Sequence, residues 1–86
     1  MIECIEREAK HQDVRLNKNY RALAGSIAGS RKKQLQSAQR IWIKYREANC
    51  AFYFDPDGGT LARISANECV MSMAAERAGE LERLKR

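Results

Sequence analysis

Turn-forming residues gather at only two places in this chain of 86 residues. Gly25-Ser26 and Gly29-Ser30 mark the first. Asp55-Pro56-Asp57-Gly58-Gly59 marks the second and joins several strong turn formers in one run. Everything else divides into three long segments, roughly 2–28, 31–53 and 60–85. None alternates apolar with polar residues over a sustained stretch, so the pattern argues against strands. A chain this short sets a ceiling of one small domain, here residues 1–86, with no room for a large cleft and its scaffold.

Each segment carries a helical stripe. The first places Ile2, Ile5, Ala9, Leu16, Tyr20, Leu23 and Ile27 at steps of three, four or seven, with a polar gap near Gln12 and Asp13. The second places Leu35, Ala38, Trp42, Tyr45 and Phe52 on one stripe, widened by Ile41 and Ala48. The third offers Leu61, Ile64, Met71, Ala74, Ala78 and Leu81. Ser30 and Thr60 are suited to N-cap the second and third helices. The expectation is an all-α fold, an antiparallel three-helix bundle running up, down and up. A composition of 44% hydrophobic and 31% charged residues fits a globular chain rather than a disordered one. No run of 18 apolar residues exists, so no segment is suited to span a membrane.

The core of such a bundle is small, and a cross-link would help it. The cysteines are Cys4, Cys50 and Cys69. Two arrangements are open: three buried thiols in a reducing compartment, or one disulfide with an orphan. Cys50, near the end of the second helix, and Cys69, in the antiparallel third, can come within disulfide reach.

Several residue patterns together resemble a known family. Cys4 is followed by Asp13, Leu16-Asn17 and Tyr20, a pattern of Cys and then Asp-x-x-Leu-Asn-x-x-Tyr. Leu35 precedes Ala38-Gln39-Arg40-x-Trp42, then Tyr45-Arg46 and Cys50. Gly58-Gly59-Thr60 matches a Gly-Gly-Ser loop, and Cys69, Arg77 and Glu80-Leu81 match a closing motif. In order and spacing these resemble the LprI-like lysozyme-inhibitor N-terminal domain family, small helical proteins of the bacterial cell envelope. The resemblance implies a Cys50–Cys69 disulfide, an unpaired Cys4 and a periplasmic or secreted protein. Three departures stand out. Glu47 follows Arg46 where the family carries Asp, Ala74 replaces a Thr, and a further family cysteine would precede Cys4. The last implies an N-terminally shortened form.

Candidate functional residues divide by their place on these stripes. Trp42 and Tyr45 fall on the apolar stripe and are expected in the core rather than as a stacking platform. Asp13, Asn17, Gln39, Arg46, Arg77 and Glu80 lie beside apolar stripes and are expected to form a structural polar network that fixes helix register. No catalytic residue is expected: a lone histidine, His11, cannot support a redundant His-based site, and Glu76 and Glu80 are an ordinary i,i+4 pair. His11 and Cys4 lack further ligands at metal spacing, and Gly58-Gly59 lacks a phosphate-loop context, so neither metal nor cofactor is expected.

Net charge is +5, and its location matters more than its size. Residues 31–50 hold six basic and one acidic side chain, while residues 1–30 and 51–86 are each within one charge of neutral. Lys33, Arg40 and Lys44 recur on the outward side of the second helix and are the candidate partner-binding residues. Two functions follow. One is a non-enzymatic envelope protein, resembling lysozyme inhibitors, that binds a protein partner such as a lysozyme. The other is a polyanion-binding module using the basic face of residues 31–50. Nucleic acid is disfavoured as partner, because the second helix is too long for a recognition helix and an exported protein rarely meets DNA. A basic lysozyme would be repelled by a chain of net positive charge. Asp55, Asp57, Glu68, Glu76, Glu80 and Glu82 offer a local anionic patch.

Overall fold

The computed structural model describes residues 2–85. Three helices follow one another: α1 (Ile2–Ser26), α2 (Ser30–Phe52) and α3 (Gly59–Lys85). At 1.5 Å per residue, α3 alone is about 40 Å long, which accounts for a body measuring 47 × 21 × 14 Å over its Cα atoms. The turns fall where the punctuation places them. Both helix entries pass through the left-handed region, at Gly29 (φ 62°) and Gly59 (φ 59°), where a side chain would be strained. Asp55 closes the second turn: its carboxylate accepts the Asp57 N–H at 2.9 Å and its carbonyl accepts the Gly58 N–H at 2.9 Å. The N-caps differ from expectation. Gly29 caps α2 without a side-chain bond, Ser30 is already helical, and α3 begins one residue before Thr60. The glycines' left-handed backbone sets where each helix starts, so a hydroxyl cap is not needed there.

The chain runs up, down and up, which leaves α1 and α3 parallel and α2 antiparallel to both. α1 and α3 form the tighter pair. Ala74, Ala78 and Leu81 recur at steps of four and three on α3, and all three are fully buried. Leu16 and Leu23 of α1, with Leu35 of α2, complete the apolar cluster, flanked by Tyr20, Ala24, Ile27 and Trp42. Alanine on α3 lets the two backbones approach closely. The Asn19 amide of α1 donates to the Ala78 carbonyl at 2.9 Å, and Arg15 reaches the Ala75 carbonyl at 3.5 Å and Glu82 at 3.4 Å.

Helix α2 rests on this pair more lightly. Its buried residues are Leu35, Gln39 and Cys50 alone. The expected apolar stripe of the second helix is therefore corrected in part. Trp42 is half-buried against the core, but Tyr45 is 58% exposed and Phe52 84% exposed. The reason is geometric: α1 and α3 already cover each other, so only the line Leu35–Gln39–Trp42–Arg46–Cys50 of α2 finds a surface to face. Leu61, near the start of α3, is likewise exposed.

The Cys50–Cys69 disulfide ties α2 to α3, with Cα atoms 5.4 Å apart, and Cys4 is free and exposed. Closing a loop of 19 residues contributes about 3 kcal/mol in the chain-entropy treatment. Replacing both Cys50 and Cys69 with Ala should lower the melting temperature by roughly 10–25 °C while preserving helical circular dichroism in the cold. An unchanged melt would show that the bridge is not limiting. Ala78→Leu should also destabilise, by about 1–3 kcal/mol in urea unfolding, because the α1–α3 seam has no space for three further carbons.

Candidate functional site

Three regions of the surface combine polar chemistry with an organised backbone. The first is the polar lining between the helices. Arg46 of α2 donates to Asp13 of α1 at 2.7 Å, and its guanidinium lies 4.9 Å from the centroid of the Trp42 ring. One cation thus tethers α2 to α1 and covers the half-buried indole. Arg77 of α3 donates through Nε to Gln39 Oε1 at 3.0 Å and through Nη1 to Glu80. Gln39 is 7% exposed, so its amide oxygen depends on that arginine. Gln39, Trp42, Arg46 and Cys50 follow one another at steps of three, four and four, which puts them all on the inward line of α2. Asn17 does not join these contacts. It is exposed and borders a shallow hollow with Tyr20, Gln36, Gln39, Arg40 and Ile43.

The second region is the outward face of α2. Lys33, Arg40 and Lys44 are all exposed there, and Arg40 and Lys44 flank a hollow of about 230 Å³ with Ser37 and Ile41. No ion pair among the described residues involves any of the three.

The third region is a groove of about 450 Å³ between α2 and α3 at the disulfide end. Tyr45 and Asn49 of α2, with Tyr53 just past its end, form one wall, and Ser65, Glu68, Ser72 and Glu76 of α3 form the other. Cys69 and Met73 lie between them. The Asn49 amide points to Met73 Sδ at 3.4 Å and Cys69 Sγ at 3.6 Å, which fixes the floor. The sequence pattern flags neither Asn49 nor Asn19 as a contact residue. Both sit one helical step from apolar positions, a placement shared by many solvated asparagines. Of the other acidic residues of the sequence patch, Glu80 is engaged with Arg77, Glu82 with Arg15, and Asp55 in its turn.

This geometry is that of a small, disulfide-tied helical bundle. The family model described as lysozyme inhibitor LprI matches residues 1–81. The chain belongs to the LprI family. Within the family frame, Gln39, Trp42, Arg46 and Cys50 supply the inward line of α2, and Cys69 and Arg77 meet that line from α3. A similar protein of Rhizobium meliloti (strain 1021), named uncharacterized protein R02472, is 26% identical over 95 residues, covering 94% of this chain and 68% of its own length. No solved structure matches the chain.

Removing Arg77 leaves the buried Gln39 amide oxygen without its donor. Arg77→Leu should cost about 1–3 kcal/mol in urea unfolding, since Gln39 keeps a buried acceptor with no donor. Adding Gln39→Leu should recover part of that loss. Strict additivity of the two changes would show the pair to be uncoupled.

Proposed function

We propose that this protein is a non-enzymatic, lysozyme-inhibitor-like binding protein of the cell envelope whose partner is a lysozyme. The observation that carries the reading is the match of the LprI family model to residues 1–81. The Cys50–Cys69 bridge supports an oxidising compartment, periplasmic or secreted, where such a bond persists. Among the described residues no helix is long and apolar enough to cross a membrane. Inhibition by binding alone asks for a presented surface rather than a catalytic cleft, and a three-helix body of this size can present one. The test is a cell-wall turbidity assay with a basic lysozyme and micromolar excess of the oxidised protein. Clearing should slow in proportion to the protein added; an unaltered rate would remove the inhibitor reading.

A second reading rests on Lys33, Arg40 and Lys44, which are exposed, make no ion pair among the described residues and suit a polyanion. It expects binding to heparin that falls steeply with salt and is lost when all three are changed to Glu. Binding that ignores salt would count against it.

A further inference from the structure

We infer that the groove between α2 and α3 at the disulfide is the docking site for a basic protein segment, one that places an Arg or Lys side chain between the tyrosine wall and the carboxylate wall. This rests on the proposed partner-binding function and adds the place and the chemistry of contact.

The groove has the character of a protein interface. Tyr45 and Tyr53 are 58% and 49% exposed, and Met73 lies at their base. Tyrosine and methionine are enriched at protein contacts, and an exposed aromatic surface of this kind is otherwise a solubility cost. The apolar surface also continues outside the groove. Ile41, Tyr45 and Phe52 follow one another along one flank of α2 at helical steps, and Ile41 and Phe52 are 68% and 84% exposed. Phe52 packs edge-to-face on Tyr53, so the flank and the groove form one surface.

Charge complementarity selects the occupant. The groove is lined by two carboxylates, Glu68 and Glu76, and by no cation. Among the described residues neither carboxylate is in an ion pair. In a chain of net charge +5, this is a local exception. Basic side chains line the adjoining hollow, where Arg77 and Arg83 stand with Trp42 and Glu76. An arginine entering at the disulfide end would meet carboxylate oxygens on α3 and aromatic faces on α2, the two partners its flat cation binds best. A basic lysozyme can therefore dock on this chain despite the sign of its total charge.

The experiment measures binding of a basic lysozyme and of a short Arg-Ser repeat peptide to the oxidised protein, alongside the turbidity assay. Glu68→Lys with Glu76→Lys, and separately Tyr45→Ala, should each weaken binding of both probes by about tenfold or more. Glu3→Lys with Glu6→Lys makes the same change in net charge on exposed positions of α1 and should leave binding nearly unchanged. All these side chains are exposed, so helical content should match the parent. Equal losses from the α1 and groove variants would mean that only net charge matters, and would overturn the site. Inhibition that persists undiminished in the groove variants would overturn the site but keep the lysozyme reading. Groove-dependent peptide binding without inhibition would keep the site and remove the lysozyme reading. Absence of binding to either probe would remove both.

Discussion

Two fully buried alanines of α3, Ala74 and Ala78, govern how the helices share their apolar surface. Ala74 and Ala78 have no exposed area, and they allow α1 and α3 to pack along their lengths with Leu16, Leu23 and Leu81 filling the seam. Larger residues there would hold the two helices apart and open a wider groove for α2 to enter. With the seam closed, α2 meets a nearly completed surface and can bury only one narrow line of side chains. The exposure of Tyr45 and Phe52 is a consequence of that economy on α3, not a local feature of α2.

A helix attached along a narrow line needs directional contacts to fix its register, because apolar burial alone would tolerate sliding. Three residues of its inward line, Gln39, Arg46 and Cys50, supply such contacts. The disulfide sets α2 against α3 at one end, Arg46–Asp13 sets it against α1, and Gln39–Arg77 sets it against α3 further along. The covalent tie is insensitive to solvent. The two polar ties are half-buried, where a hydrogen bond to a charged group is worth more than on an open surface. Together they hold the walls of the α2–α3 groove at a fixed separation. The stability of the bundle and the shape of its surface thus depend on the same few residues.

Much of this fold is legible in the sequence. The two clusters of turn residues divide the chain correctly because glycine, proline and aspartate act locally, through backbone geometry that no distant contact overrides. The direction of the helices follows from the short turns. What the sequence pattern cannot supply is which helix pair closes first. A stripe such as Leu35–Ala38–Trp42–Tyr45–Phe52 names a face with apolar character, yet the buried line is Leu35–Gln39–Trp42–Arg46–Cys50, rotated away from it. Periodicity treats Gln39 and Arg46 as polar, whereas each is inward because a partner on another helix satisfies it. The groove is less legible still. Its two walls come from residues 45–53 and 65–76, and only the disulfide signals that these segments lie side by side.

The location of charge carries the same lesson at the scale of the whole body. Lys33, Arg40 and Lys44 occupy the side of α2 opposite its inward line, whereas Glu68 and Glu76 lie on α3 beyond that helix. A helix with its side chains is about 10–12 Å across. The screening length at physiological ionic strength is about 8 Å. A partner seated in the groove therefore interacts mainly with the two carboxylates beside it, and the cations behind α2 contribute little to the bound state. The cations still act on the approach, where they bias orientation: a basic surface is turned away from the outer face of α2 and towards the α3 side. Net charge of +5 thus describes the encounter poorly and the contact hardly at all. The division of that charge between two faces separated by one helix is what allows a cationic chain to present an anionic, aromatic site.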